Sequence, residues 1–441
     1  MKEIKLKLIL MYFLEFAVWG AYLASLGSFL AQNGQAEHIG WFYAVQGVVS
    51  IFMPALIGII ADRWVPAQRM LSVCHLLAGA FMLCAGWYAS TAATLEFTPL
   101  FSLYTLSIAF FMPTIGLSNS VGYSVLTSHG LDTVKHFPPI RIFGTIGFII
   151  SMLFVNFTGF QNTYGQLFTS GVLSIVLAAY ALTMPNCPVN KTNEKVSVSD
   201  ALGLKAFSLF KNRRMATFFV FSMFLGVALQ ITNGFANPFI QSFGDIPEFH
   251  GNWGVENANA LISLSQISET LCILLIPFFL KRFGIKVVML MAMLAWVFRF
   301  GLFGLGDPGS GVWMFILSMI VYGIAFDFFN VSGSLYVDKQ TTPDIRSSAQ
   351  GLFMVMTNGV GATIGTLCAQ QVINHFVNSQ PAGLARIEGW STSWLIFAAY
   401  ALVVAVLFFL IFHDKPAKNS TGDIRKAEIE SNASDNPEGM I

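Results

Sequence analysis

Long apolar segments recur along the whole sequence, and they constrain the fold more than any other feature. Runs of about 20 apolar residues are long enough to cross the hydrocarbon core of a bilayer as helices. Counting them predicts an all-α membrane protein with twelve transmembrane helices. The predicted spans are residues 6–31, 39–61, 70–89, 100–128, 139–157, 164–184, 216–243, 257–280, 286–305, 312–336, 348–377 and 392–412.

The overall composition agrees with a membrane location. Hydrophobic residues make up 55% of the chain and charged residues only 11%, whereas soluble domains carry about 25% charged residues. The net charge of +1, with no basic cluster interleaved with aromatic residues, gives no indication of nucleic-acid binding. The predicted surroundings are therefore the lipid bilayer.

Sequence motifs for metals, disulfides and catalysis are absent. The five cysteines are odd in number and include no C-x-x-C pair, so neither a disulfide framework nor a zinc site is predicted. The chain contains no H-E-x-x-H, G-x-S-x-G or G-x-x-x-x-G-K-[ST] motif. We therefore expect no metal, no cofactor and no enzymatic activity.

Basic residues are concentrated in one set of loops, which orients the chain. The loop at 185–215 is long and basic, while five loops on the opposite side lack Lys and Arg and a sixth has only Arg386. The positive-inside rule then predicts cytoplasmic N- and C-termini in a bacterial cytoplasmic (inner) membrane. The apolar run at 6–31 is too long for a signal peptide, so we interpret it as a retained first span.

This layout predicts two lobes joined by a linker. Residues 1–184 would form one six-helix bundle and 216–412 a second, each built from inverted three-helix repeats with a site between the bundles at mid-membrane. Residues 185–215 would be a cytoplasmic linker and 413–441 a disordered cytoplasmic tail. We expect a monomer.

The segment LISLSQISETLCILLIPF (261–278) carries the most informative polar residues. Gln266 and Glu269 are three residues apart, so a helix presents them on one face. A carboxylate in hydrocarbon is costly and is normally retained where it faces a cavity or a partner. Glu269 is accordingly predicted to bind substrate or a proton, the alternative being a structural hydrogen bond to a neighbouring helix.

A second polar face lies in MIVYGIAFDFFNVSGS. Tyr322, Phe326 and Asn330 are spaced four apart, with Asp327 beside them. Rings next to a carboxylate and an amide suit a flat, hydroxylated ligand. Simple helix packing would also explain Tyr322 and Phe326 taken alone.

A third polar face opens the fifth span, HFPPIRIFGTIGF. Pro138 and Pro139 are expected to start the helix, and Arg141, Thr145 and Phe148 then form one stripe. Arg141 either extends to the cytoplasmic headgroups or turns inward as the cation for Glu269 or Asp327. In the second case the ion pair would couple protonation to conformation.

Other polar and small residues complete the set. Gln230 and Asn233 place two amides on one face before Gly234 and Pro238, which weaken the helix locally. Glu15 is a further intramembrane carboxylate, either a second proton site or the partner of a polar neighbour. For Arg299 we expect a structural charge pair. Gly361 and Gly365 favour close helix contact.

Several segments resemble a known family. The turn GIIADRWVPAQRM (58–70) partly resembles the loop signature of the major facilitator superfamily. FPPIRIFGTIGF, LFKNRRMATFFVFSMFLG, LQITN, SQISETL, FGIKVVM, FDFFNVSGS and ASLGSFL closely resemble the bacterial nucleoside:proton symporters of that superfamily, over nearly the whole chain except the tail.

The resemblance implies uptake of purine and pyrimidine nucleosides, such as uridine and adenosine, driven by protons through alternating access. It also implies that the substrate-binding residues are Arg141, Thr145, Phe148, Gln230, Asn233, Gln266, Glu269, Tyr322, Phe326 and Asp327. Glu269, Asp327, Arg141 and Glu15 are the expected proton-coupling residues, although Glu15 matches no binding position of the family. The alternatives are a proton-coupled carrier of sugars or other small solutes, and a membrane nucleoside receptor that does not transport.

Overall fold

The computed structural model describes residues 2–187, 204–342 and 345–413, and within them the chain is helical with no strand. Fourteen α-helices are numbered α1 to α14 in this part of the chain. They are α1 Lys2–Gly20, α2 Leu26–Gln32, α3 Ile39–Arg63, α4 Ala67–Thr91, α5 Phe97–Ser128, α6 Thr133–Phe157, α7 Gly165–Ala181, α8 Arg213–Ser242, α9 Trp253–Glu256, α10 Ala258–Leu305, α11 Val312–Gln340, α12 Arg346–Met354, α13 Ala362–Ile373 and α14 Leu384–Ile411. Short 3₁₀ segments lie at Ala36–His38, Phe160–Asn162, Leu204–Lys211, Phe243–Asp245 and Pro247–Phe249, and π-helical turns at Val355–Gly361 and Asn374–Asn378.

Nine helical segments of the described chain are long and apolar enough to cross a membrane. Three predicted spans differ from that set. The first is divided into α1 and α2 by turns at residues 21–25, the sixth is the 17-residue α7, and the eighth is continuous with the ninth in α10. The all-helical prediction is confirmed, while the count of twelve stays a prediction.

The bend within α10 depends on one residue. Gly284 has φ 78° and ψ 171°, whereas helical conformation extends on both sides of it. A residue with a Cβ rarely adopts positive φ, so glycine makes the reversal at low cost. The junction predicted between the spans 257–280 and 286–305 is therefore a single-residue break between the two arms of α10.

The start of α6 also differs from its prediction. The helix begins at Thr133, so Pro138 and Pro139 lie inside it rather than at its first turn. The first-turn N–H groups of any helix have no intrahelical partner. Pro138 and Pro139 have no backbone N–H, so they remove two intrahelical hydrogen bonds just beyond that turn.

Helix contacts are densest within each side of the linker. Before the linker α1 packs on α6 and α7, and α4 packs on α5 and α7; after it α10 packs on α11 and α14. The two sets meet where α2 and α3 contact α8, where α3 contacts α13, and where α6 contacts α10. Most of the predicted linker (188–203) and nearly all of the predicted tail (414–441) lie outside the described residues.

Close packing of α8 depends on glycines, as the small-residue spacing predicts. A Cβ added to Gly361 would lie 2.3 Å from the Met223 carbonyl oxygen, and one added to Gly365 would lie 2.3 Å from that of Val227. The contact is equally close from α8, because a Cβ added to Gly226 would lie 2.2 Å from the carbonyl oxygen of Thr357. The backbones of α8 and residues 355–365 are therefore in direct contact, and the prediction of close helix contact is confirmed.

Polar side chains join the two sets of helices at one end, here called the closed end. Ser28 donates a hydrogen bond to Asn237 at 2.5 Å, and Asn156 donates to Asn257 at 2.7 Å. Gln370 of α13 donates to the carbonyl of Ala36 at 3.0 Å.

Candidate functional site

Arg141 extends from α6 toward the interior. Its guanidinium carbon lies 3.8 Å from the centre of the Phe16 ring and 5.9 Å from that of Tyr12. The side chain is half-buried and lies within electrostatic range of Glu269 on α10 and Glu15 on α1. The guanidinium is thus directed inward rather than to the headgroups, although no direct ion pair joins it to either carboxylate in the described chain.

The carboxylates of α10 and α11 are neighbours. Glu269 is half-buried and Asp327 is 5% exposed, and the two interact electrostatically. Asp327 Oδ2 is buried without a hydrogen-bond partner. Because a buried polar atom is normally paired, this oxygen is free to accept a hydrogen bond from a ligand. Two adjacent carboxylates also repel each other when both are ionised, which favours proton binding by one of them.

Aromatic rings line the same part of α11. Tyr322 and Phe326 stack with their ring centres 5.6 Å apart and their planes 17° apart. Tyr322 also lies within electrostatic range of Glu269 and interacts with Gln266. Gln266, Glu269, Tyr322, Phe326 and Asp327 therefore form one cluster between α10 and α11.

Arg299 contacts this cluster through Tyr322, and it does not form the charge pair that we expected. Its Nη1 donates hydrogen bonds to the Ser318 carbonyl at 2.8 Å and to Ser265 Oγ at 3.3 Å. Its guanidinium carbon lies 4.4 Å from the centre of the Tyr322 ring. The guanidinium thus contacts a hydroxyl, a carbonyl and a ring face, whereas its Nε has no hydrogen-bond partner. The described chain places no carboxylate in an ion pair with it.

The remaining predicted residues are on α6 and α8. Phe148 is buried with its ring edge-to-face against Trp19, and Thr145 is half-buried one turn away. On α8 the Asn233 amide donates to Gln230 Oε1 at 2.8 Å. These two amides are thus ordered by each other, and the helix continues through Pro238 to Ser242.

A second polar group surrounds Glu15, and the sequence did not predict its partner His75. Glu15 Oε2 lies 2.8 Å from His75 Nε2, and Thr114 donates to Glu15 Oε1 at 2.6 Å. Glu15 therefore does have a polar partner. The available signal was His75 itself, since an ionisable residue stands inside the apolar run at 70–89.

A groove of about 720 Å³ lies away from these groups, between α6 and α7 near the closed end. Its lining is mostly apolar and includes Phe154, Phe168 and Val172. It contains none of the carboxylates or amides described above, so its chemistry does not match a hydroxylated ligand.

Membrane-length helices that surround buried carboxylates, amides and stacked rings define a multi-pass membrane protein with an internal polar site, as in secondary transporters. The family described as nucleoside H⁺ symporters matches residues 1–417. The chain therefore belongs to the nucleoside H⁺ symporter family, and the family assignment made from the sequence is confirmed.

Individual relatives agree with this assignment. The chain is 46% identical over 413 residues to the xanthosine permease of Escherichia coli strain K12, covering 93% of this chain and 96% of that protein. It is 45% identical over 423 residues to the nucleoside permease NupG of the same strain, covering 95% of this chain and 98% of that protein. Both relatives are transporters in name and align over almost their full length.

Solved structures show the same fold. The crystal structure of the nucleoside transporter NupG superimposes with a TM-score of 0.85 at 44% identity, covering 93% of this chain and 100% of that chain. The D-xylose-proton symporter superimposes with a TM-score of 0.66 at 14% identity, covering 92% of this chain and 97% of that chain, and shows similarity of fold alone. The fold is that of the major facilitator superfamily.

Proposed function

We propose that the protein carries purine and pyrimidine nucleosides into the cell together with protons, using a site between α6, α8, α10 and α11. The observation that supports this most directly is the cluster of Glu269 and Asp327 beside stacked aromatic rings, with Arg141 of α6 within electrostatic range of Glu269. A ligand with hydroxyl groups and a flat base fits this chemistry.

Each class of side chain has a proposed role in binding. The ribose hydroxyls would bond to Glu269, Asp327 and the paired amides Gln230 and Asn233, because carboxylate and amide oxygens accept hydrogen bonds from hydroxyl groups. The base would pack against Phe148 or Phe326. Thr145, Gln266 and Tyr322 would complete the lining on α6, α10 and α11.

Proton coupling would depend on the charges around Arg141. With Glu269 and Asp327 both ionised, one cation faces two neighbouring anions, and protonation of one carboxylate removes that excess negative charge. The two bundles would then rearrange around a neutralised site at lower desolvation cost. Glu15 is also within electrostatic range of Arg141, so we include it among the coupling residues.

Alternating access would move two six-helix bundles, 1–184 and 216–412, against each other. In the proposed orientation both termini are cytoplasmic and the membrane is the bacterial inner membrane. The closed end is then the outer end, and this conformation faces inward. We propose that the monomer is the transporting unit, because its own helices supply every residue of the site.

Proteoliposomes provide the test. Purified protein should exchange internal unlabelled uridine for external labelled uridine, and accumulation driven by a pH gradient should collapse when a proton ionophore is added. Uptake that is indifferent to the ionophore would contradict coupling.

Competition assays discriminate the other two functions. Inhibition by free sugars rather than by nucleosides would favour a sugar carrier. Nucleoside binding without any exchange would favour a receptor.

A further inference from the structure

The buried group around Glu15 joins four helices and lies outside the α10–α11 cluster. Glu15 and His75 are both 0% exposed, and Glu15 Oε2 lies 2.8 Å from His75 Nε2. Thr114 of α5 donates to the other carboxylate oxygen, and Ser174 of α7 lies 3.0 Å from His75 Nδ1. A carboxyl and an imidazole with no solvent contact and complete hydrogen bonding form a defined proton-binding geometry.

The hydrogen bonds define where the protons lie on His75. Ser174 Oγ donates its proton to the backbone carbonyl of His75 at 2.8 Å. It therefore accepts from His75 Nδ1, which must carry a proton. One further proton lies between His75 Nε2 and Glu15 Oε2, so the pair has a net charge of zero whichever atom holds it.

The same geometry accommodates one more proton. Thr114 Oγ1 lies 2.6 Å from both Glu15 Oε1 and the carbonyl oxygen of Phe111, but its hydroxyl has one proton to donate. If Glu15 Oε1 is protonated, it donates to Thr114, whose own proton then turns to the Phe111 carbonyl. Every group is hydrogen-bonded in both states, and no heavy atom has to move.

The charged and titratable neighbours connect this group to the nucleoside site. Tyr12 lies one turn before Glu15 on α1, Cys74 faces it from α4, and Arg141 faces it from α6. The contacts described from α5 and α7 are hydroxyl groups only. Arg141 is thus the cation common to Glu15 and Glu269, so a positive charge gained by the buried pair would favour the interaction of Arg141 with ionised Glu269.

We propose that Glu15 and His75, with Thr114 as a hydroxyl switch, form a second proton-binding site that takes up one proton in each transport cycle. This inference rests on the proposed function. The proton comes from water and forms an O–H bond at Glu15 Oε1, which raises the charge of the pair from zero to +1. Because both side chains are fully buried, that proton exchanges with water only when α1 moves against α4 and α5. Proton loading is therefore tied to a change of conformation.

The number of protons coupled to each uridine can be obtained from the equilibrium accumulation ratio of uridine in proteoliposomes. With the membrane potential clamped at zero and a pH gradient of about one unit, each coupled proton contributes about a factor of ten to the accumulation ratio. Glu15→Gln is the matched variant, since the introduced amide can accept from Thr114 and donate to neutral His75. We expect its accumulation ratio to be about tenfold lower than that of the unmodified protein, with uridine counterflow retained. Glu3→Gln, at the exposed start of α1, should leave both measurements unchanged.

His75→Gln supplies an independent variant. Glutamine at position 75 cannot hold the proton that lies between His75 Nε2 and Glu15 Oε2, so the pair can no longer alternate between its two hydrogen-bonded states and the accumulation ratio should again fall about tenfold. Equal ratios in the unmodified protein and in either counterflow-competent variant would overturn the proposal, since a merely structural pair does not alter an equilibrium stoichiometry. Loss of counterflow in both variants would also overturn it, by assigning the pair to the scaffold. Absence of counterflow in the unmodified protein would instead contradict the proposed function.

Discussion

Arg299 lies against the face of Tyr322, with the guanidinium carbon 4.4 Å from the ring centre. The arginine is 2% exposed and is fixed by hydrogen bonds to Ser318 and Ser265. Phe326 also stacks on the Tyr322 ring. A buried cation therefore holds the aromatic wall of the proposed nucleoside site without contacting that site's carboxylates in an ion pair.

Arg299→Lys tests this support. Lysine keeps the positive charge but loses the planar stack and the fork of donors. A buried cation–π contact contributes about 0.5–2 kcal/mol, so we expect uridine affinity to fall by about 2- to 30-fold. Equilibrium binding in detergent measures this effect. Arg386→Lys, at the partly exposed start of α14, is the control, and unchanged affinity in Arg299→Lys would show that Tyr322 needs no such support.

Glu269→Gln separates binding from coupling. The amide keeps the size and a carbonyl oxygen but cannot take up a proton, so accumulation should fall by about a factor of ten per unit of pH gradient while counterflow continues. Labelled uridine in proteoliposomes measures both. Glu256→Gln, in the short helix α9 before α10, is the control, and normal accumulation in Glu269→Gln would remove Glu269 from the mechanism.

Asp327→Asn tests the unpaired oxygen Oδ2. A hydrogen bond to a charged group contributes about 1.5–3 kcal/mol, so affinity for uridine should weaken by about 10- to 150-fold. The loss should be much smaller for 5′-deoxy or 2′-deoxy analogues, whichever lacks the hydroxyl that Asp327 binds. Asp338→Asn at the exposed end of the same helix, where Asp338 pairs with Arg346 at 2.9 Å, should bind uridine normally. Equal losses for all analogues would contradict a direct contact.

Asn237 is a central contact of the closed end. It accepts hydrogen bonds from Ser28 at 2.5 Å and Gln241 at 2.8 Å, and it donates to Asn259 at 2.6 Å. Asn237→Ala should shift the conformational equilibrium toward an open outer end by about 1–3 kcal/mol. Spin-label distances between the outer ends of α5 and α14 should lengthen. Asn33→Ala, directly after α2, where the amide donates to the Phe29 carbonyl of that helix, should leave the distance distribution unchanged. The same result for Asn237→Ala would contradict its role.

Gly226→Ala tests the backbone contact of α8. The added methyl group would lie 2.2 Å from the Thr357 carbonyl oxygen, so the helices must separate, at a cost of about 1–3 kcal/mol. Thermal unfolding in detergent should occur at lower temperature. Gly116→Ala in α5, where the added methyl group meets nothing within 4 Å, should leave the midpoint unchanged or raise it. A lower midpoint for Gly116→Ala than for Gly226→Ala would contradict the packing argument.

Local sequence features predicted the helices and the polar faces well. The spacing of Gln266 and Glu269, and of Tyr322 and Phe326, follows from helix geometry alone, and the structure places each pair on one side of its helix. Breaks that depend on single residues were harder to predict. The predicted spans place a junction at 281–285, which contains Gly284, but they do not predict that one residue makes the break while helical conformation extends on both sides of it.

The sequence by itself determined the membrane environment, the helical class and the residues that have to avoid lipid, because hydrophobic transfer and helical spacing act over short stretches of chain. Only the tertiary structure decided the partners. Glu15 contacts His75, which is 60 residues further along the chain. Arg141, before the linker, lies within electrostatic range of Glu269, after it. Arg299 packs against the Tyr322 ring and not against a carboxylate. These choices depend on how the helices pack against one another, since a side chain buried in a membrane bonds to whichever polar group the neighbouring helix brings within reach.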